Sequence, residues 1–215
     1  MTINTYLDHT LLNPTATAEE IKQVCEEAIE NNFAAVCFSS YFASYASKLL
    51  KESPVKLATV VGYPYGYQPT VAKAAEVKWA IDHGADEIDA VLNISALKSK
   101  DFSYVRNDIE TLARSTSIRG KVLKLIVEES LLTADELARV CDFCIESEVH
   151  FVKNSTGVIG TGATPELIKK LRVLLPKEIK IKASGGIKTK EDVQALIEAG
   201  ADRIGSSSCM NIIKK

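Results

Sequence analysis

Several features that mark other protein classes are missing from this chain, and each absence narrows what it does. No apolar run approaches the roughly 20 residues of a bilayer-crossing helix, so no membrane association is expected. Met1 to Asn13 carries polar residues and an early Asp8 in place of a basic start and a long apolar core, which argues against a signal peptide. An excess of positive charge is also lacking. The 26 basic and 28 acidic residues are spread along the sequence and give a formal net charge of -2, so no nucleic-acid face is expected, although local sites for small anions stay open. The five cysteines, Cys25, Cys37, Cys141, Cys144 and Cys209, are odd in number and scattered, which suits a reducing cytoplasm better than a disulfide framework. His9, His83 and His150 have no metal-ligand spacing, so neither a metal nor a zinc-dependent polarisation of substrate is expected. Nothing resembles a linker. At 215 residues and 46% apolar composition, we expect one domain over residues 1–215.

What is present is one repeated pattern: a short β-rich run, a polar or glycine-containing loop, then a helix with an apolar stripe. That order indicates parallel strands joined by helical crossovers. The strands are expected at Thr5 to Asp8, Ala34 to Phe38, Lys56 to Val61, Glu87 to Leu92, Val122 to Glu128, His150 to Asn154, Ile179 to Ala183 and Arg203 to Ser206. Eight such strands close a (β/α)8 TIM barrel. Ile21, Val24, Cys25, Ala28 and Ile29 follow helical spacing, as do Leu137, Val140, Cys141, Cys144 and Ile145, so each set forms one buried stripe. The second set absorbs the redox-like spacing of Cys141 and Cys144 into packing. Thr17 with Glu20 and Thr133 with Glu136 have the spacing of capping boxes, and Thr164-Pro165 that of an N-cap and first-turn proline. Gly84 and Gly200 suit left-handed helix ends in two near-copies of a Gly-Ala-Asp connection whose expected role is structural. Longer Gly/Ser/Pro loops follow the strands, which puts the functional face at the strand C-termini.

Four expected strands each carry a charge: Asp89 in EIDAVLN, Lys124 in VLKLIVEE, Lys153 in HFVKNS and Lys182 in IKIKASGG. A strand covered on both faces offers such residues no watery side, so they should converge in the barrel core near the strand C-termini. Three lysines against Asp89, with Glu128 too far along its strand to pair, leave a positive surplus. A purely structural ion-pair network is one alternative. The other is that one lysine gives up its proton and becomes an amine nucleophile toward carbonyl carbon, which is Schiff-base chemistry. Lys153 and Lys182 lie mid-strand on consecutive strands, and either is able to activate the other. Asp89 is placed to move protons directly or through a water.

Two late loops, Ala183 to Lys188 and Ile204 to Ser208, follow the last two strands and read as an anion cradle of backbone N–H groups, completed by Asn154 to Gly157. Tyr63 and Tyr65, around Pro64, either line the cleft or stiffen a loop. Before any family is considered, these residues also fit another lysine-dependent aldolase or transaldolase-like barrel, or a non-catalytic phosphate-binding barrel.

The stretches LDHTLL, AVCFSSYF, TVVGYPYG, GADEIDAVLNI, LKLIVEE, FVKNSTG, KASGGIKT and RIGSSS, in this order over nearly the whole chain, resemble the deoxyribose-phosphate aldolase family of class I, βα-barrel aldolases. The resemblance implies cofactor-free, reversible cleavage of 2-deoxy-D-ribose 5-phosphate to D-glyceraldehyde 3-phosphate and acetaldehyde in deoxynucleoside catabolism. It implies that Lys153 is the Schiff-base lysine, Lys182 the neighbouring cation that lowers its pKa, Asp89 the proton relay and Lys124 the residue holding Asp89. Gly157, Gly185, Gly186, Gly205, Ser207 and Ser208 match phosphate-loop positions, with Thr156 beside them, and Asp8 and Cys37 match residues lining the cleft. Asn154 and Glu129 stand where the family commonly has threonine, Ser40 where it has proline, Tyr63 where it has phenylalanine and Lys188 where it often has arginine. The chain ends at Lys215 without the aromatic tail of some members. A symmetric homodimer is the generic expectation for such an enzyme.

Overall fold

The computed structural model describes residues 3–214. Eight parallel strands close into one barrel in chain order: β1 (Leu7–Thr10), β2 (Ala35–Ser39), β3 (Lys56–Val61), β4 (Glu87–Val91), β5 (Val122–Ile126), β6 (Phe151–Lys153), β7 (Lys180–Ser184) and β8 (Arg203–Ser206). β8 closes on β1 with Asp8 opposite Gly205. Around them lie α1 (Ala18–Glu30), α2 (Ala43–Leu49), α3 (Thr70–Asp82), α4 (Ile94–Lys98), α5 (Phe102–Ser117), α6 (Ala134–Glu146), α7 (Pro165–Leu174), α8 (Lys190–Glu198) and α9 (Cys209–Ile213). The expected TIM barrel is the fold observed.

Local sequence chemistry sets the helix starts. Thr17 and Thr133 form the two expected capping boxes, and Thr164 caps α7 with Pro165 in its first turn. Thr189 with Asp192 makes a third box at α8. Gly84 follows α3 at φ +102°, where a Cβ would meet the Ser47 hydroxyl at 2.2 Å, so the turn admits only glycine. The repeated Gly-Ala-Asp is structural, as expected. Asp86 exchanges backbone and side-chain hydrogen bonds with Leu57, and Asp202 does the same with Ile181, fastening each new strand to an earlier one.

Some boundaries differ from those expected. Thr5 and Tyr6 belong to a 3-10 turn, and β1 runs on through His9 and Thr10. The polar letters of LDHT hide a strand in which Asp8 is buried in an ion-pair network and His9 pairs with Glu27 on α1 at 2.7 Å. β5 stops at Ile126 because Glu128 takes a left-handed conformation, φ 50° and ψ 58°. The last residue of each helical stripe, Ile29 and Ile145, sits at the solvent edge, 36% and 38% exposed.

The apolar core lies mainly between the outer barrel face and the helices, where Val36, Phe38, Leu57, Ile88, Leu123, Val152 and Ile181 meet the stripes of α1, α5 and α6. Inside the barrel, a small apolar patch of Cys37, Ala58 and Val60 lies on β2 and β3, and Val91, Ile126 and Phe151 are buried on the inner face beside a group of charged side chains.

Candidate active site

Side chains alternate along a strand, so Glu87 and Asp89 both point inward from β4, and Asp8, Lys124, Lys153, Lys182 and Arg203 meet them from β1, β5, β6, β7 and β8. The Asp89 carboxylate is the centre. Its Oδ1 accepts a hydrogen bond from Lys124 Nζ at 2.7 Å, and its Oδ2 accepts from Lys182 at 2.8 Å and from Lys153 at 3.0 Å. Lys182 also donates to Asp8 Oδ2 at 2.5 Å, and Lys124 pairs with Glu87 at 2.6 Å. Arg203 bridges Asp8 at 2.8 Å and Glu87 at 3.2 Å. Gly205 makes room, since a Cβ there would lie 3.0 Å from Lys182 Cε. The expected three-lysine cluster is therefore wider. Asp8, Glu87 and Arg203 join it, and four bases face three acids, a surplus of one positive charge.

The network fixes the charge state of its most deeply buried members. Burial disfavours the Asp89 carboxylate, but Lys124, Lys182 and Lys153 outweigh it and hold Asp89 well below the usual carboxylate range. Asp8 is likewise opposed by burial and lowered to about 2 by Lys182 and Arg203. Burial works against the Lys182 ammonium, and Asp8 and Asp89 override it, so Lys182 stays protonated above the ordinary lysine range. Lys124 is held the same way by Asp89 and Glu87.

Above this floor, at the strand C-termini, an open pocket of about 550 Å³ is bordered by Leu11, Leu12 and Tyr63 on one side and by the β6, β7 and β8 loops on the other. Lys153 reaches it, whereas Lys124 and Lys182 are sealed below at 0% exposure. Thr156, Gly157, Gly185, Gly186, Gly205, Ser207 and Ser208 all line this pocket, together with Lys188. Two of the expected amide donors are already engaged within their own turns: Gly157 N–H donates to Ser155 Oγ at 2.9 Å and Ser208 N–H to Ser206 Oγ at 2.9 Å. Asp8 lies in the ion-pair layer below the pocket. Cys37 lies under the apolar wall, against which Leu12 and Tyr63 pack, and burial pushes its thiol up to about 11.

Tyr63 belongs to the cleft: its hydroxyl donates to the Thr156 carbonyl at 3.1 Å, while Tyr65 is half-exposed and stacked on Tyr67. Asn154 clamps β7 by accepting from Ser184 N–H at 2.8 Å and donating to its carbonyl at 3.1 Å. Sequence reasoning gives no site role to Glu87 and Arg203, the first residues of their expected strands, and sets Glu128 aside as too far along its strand to pair; its carboxylate instead faces the β6 loop. Leu11 and Leu12 fall within the LDHTLL stretch, but sequence reasoning gives no residue from Leu11 to Pro14 a place in the cleft wall that they form. Cys141 and Cys144 are buried free thiols on the α6 stripe. No helix of the described residues is long and apolar enough to cross a membrane, and no metal-binding cluster is found among them.

Fold and site together define the class: a (β/α)8-barrel enzyme with an open pocket at the strand C-termini, above a buried lysine cluster. A sequence model described as DeoC/LacD family aldolase matches residues 2–215. Deoxyribose-phosphate aldolase 1 of Mesoplasma florum is 46% identical over 214 residues, covering 100% of this chain and 96% of its own. The deoxyribose-phosphate aldolase of Finegoldia magna is 45% identical over 214 residues, 100% of each chain. The solved deoxyribose phosphate aldolase of Aeropyrum pernix superposes with a TM-score of 0.92 at 30% identity, covering 98% of this chain and 88% of that one. The chain belongs to the DeoC/LacD family of aldolases.

Proposed function

We propose that this protein is a class I aldolase that reversibly cleaves 2-deoxy-D-ribose 5-phosphate to D-glyceraldehyde 3-phosphate and acetaldehyde, with Lys153 as the Schiff-base amine. The observation that carries the assignment is access: of the three interior lysines, Lys153 alone lines the pocket, and it rests on one carboxylate where Lys182 rests on two. The names of the relatives at 45–46% identity support the substrate.

In the forward direction the Lys153 amine adds to the C1 aldehyde of the open-chain sugar, and loss of water gives an iminium. The C3 hydroxyl then loses its proton and the C2–C3 bond breaks. Its electron pair moves to the iminium, leaving an enamine on Lys153 and releasing glyceraldehyde 3-phosphate. Protonation of the enamine carbon and hydrolysis return acetaldehyde and the free amine. Asp89, ionised and bonded to both Lys153 and Lys182, relays the protons through water. Asp8 and Lys124 keep Lys182 and Asp89 in place rather than touching the sugar, and Cys37 backs the apolar wall near the two-carbon end. The loops carrying Thr156, Gly157, Gly185, Gly186, Gly205, Ser207 and Ser208, with Lys188, receive the phosphate. No cofactor enters this scheme. The chain is taken to act in the cytoplasm, where its five buried thiols stay reduced, and as a homodimer, the commonest closed assembly.

A panel of phosphorylated and free deoxy sugars tests this. Cleavage of 2-deoxyribose 5-phosphate well ahead of the other sugars is expected. Preference for a different phosphosugar would move the substrate while keeping the aldolase, and no cleavage of any sugar would leave only a phosphate-binding barrel.

A further inference from the structure

Glu128 is fully buried, lies in the left-handed region at φ 50°, and forms no ion pair among the described residues. A buried carboxylate without a cation and a non-glycine residue at positive φ are both costly, and together they mark a position held for a purpose. All its compensation comes from one turn. Oε1 accepts from the Ser155 hydroxyl at 3.0 Å, and Oε2 accepts from Thr156 N–H at 2.9 Å and from the Thr156 hydroxyl at 2.7 Å. With their protons committed to Glu128, the same hydroxyls accept from Gly157 N–H at 2.9 Å and Val158 N–H at 3.2 Å. The backbone on either side of Glu128 grips the strand of the pocket lysine: Val127 N–H donates to the Lys153 carbonyl and Glu129 N–H to that of Asn154, each at 2.9 Å. The turn is in turn tied to the β7 loop, because Ser184 Oγ donates to the Ser155 carbonyl at 2.6 Å.

We propose that Glu128 is a positioning residue: through the Ser155–Thr156 turn it holds the anion-binding edge of the pocket at a fixed distance from the Lys153 amine. Glu128 does not touch the sugar. Its effect on turnover rests on the aldolase reading above, and its effect on the anion edge does not.

The test uses the full chain with Glu128→Ala and Glu128→Gln, comparing 2-deoxyribose 5-phosphate with unphosphorylated 2-deoxyribose, and inorganic phosphate as a binding probe by calorimetry. Misplacing a binding edge by about 1 Å costs up to roughly a hundredfold. Glu128→Ala is expected to raise KM for the phosphorylated sugar on the order of tenfold or more, with a smaller fall in kcat. The free sugar should keep its kcat/KM within about threefold, and phosphate should bind correspondingly more weakly. Glu128→Gln keeps an acceptor for Thr156 but turns an N–H₂ toward Ser155, so it should fall between wild type and Glu128→Ala. Equal loss on both sugars, or unchanged phosphate binding, in a folded Glu128→Ala protein overturns the proposal. If that variant does not fold, Glu128→Gln decides, and a wild-type discrimination ratio overturns it. If the wild type cleaves neither sugar, the aldolase reading fails, and phosphate binding alone then decides on Glu128.

Discussion

Replacing Asp8 by asparagine removes one of three acids from the barrel interior while keeping the side chain's shape. Asp8 is fully buried, and against that burial Lys182 and Arg203 lower its carboxyl to about 2 from an ordinary 3.8. That gap corresponds to roughly 2 kcal/mol of stability at neutral pH. Because the folded value is depressed, this contribution is fully present above pH 3.8 and is lost as pH falls toward about 2. The substitution should cost more than the gap alone, because it leaves Lys182 with Asp89 as its one acid and Arg203 with Glu87. Breaking a buried pair in this way costs about 3–5 kcal/mol. For a chain of this size each kcal/mol moves Tm by about 2–4 °C, so Asp8→Asn should melt on the order of 10 °C lower at pH 7. Urea unfolding should show a lower midpoint with an unchanged slope. Wild type should also lose more stability than the variant between pH 4 and pH 2, narrowing the difference there. A variant that melts within about 2 °C of wild type at pH 7, or whose acid profile runs parallel to it, would refute the charge-network account.

Outside the barrel, Lys73 and Asp108 form a second buried pair at 2.5 Å joining α3 to α5. Lys73→Met should cost about 3–5 kcal/mol by urea unfolding, and Lys73→Met with Asp108→Leu should recover much of it; a silent single variant would contradict this. Burial pushes the Cys25, Cys141 and Cys209 thiols up to about 12, leaving on the order of one thiolate in ten thousand at pH 8. Iodoacetamide should therefore leave them unmodified in native protein, and rapid labelling would contradict that packing. Ser207→Ala and Ser208→Ala should each raise KM for the phosphorylated sugar by about tenfold while sparing borohydride trapping of acetaldehyde; equal loss of both would count against these serines as phosphate ligands.

The barrel was legible because its signals are local. Apolar runs, Thr-x-x-Glu boxes and glycines after helices mark eight strands and most helix starts within a few residues of where they occur. The errors fall where a local signal is overridden by a distant partner. LDHT reads as the polar end of a strand, yet Asp8 and His9 are paid for by Lys182, Arg203 and Glu27, far away in sequence. Glu87 and Arg203 look like solvent-facing strand ends until barrel closure points them at Lys124 and each other. The third capping box, Thr189 with Asp192, departs from the Thr-x-x-Glu pattern because aspartate is one methylene shorter than glutamate. Of the site, the lysine cluster and the Gly/Ser loops were visible as residue types out of place. Pattern alone did not separate Lys153 from Lys182, since that difference lies in depth and in the number of carboxylates each one meets. The Glu128 clamp depends on a backbone conformation that no residue letter encodes.

The most direct test of the central claim is borohydride reduction of the full chain in the presence of acetaldehyde, followed by peptide mass spectrometry. The account predicts a single two-carbon adduct on Lys153 in wild type and none in Lys153→Leu. An adduct on Lys182 instead, or on no lysine, would contradict it.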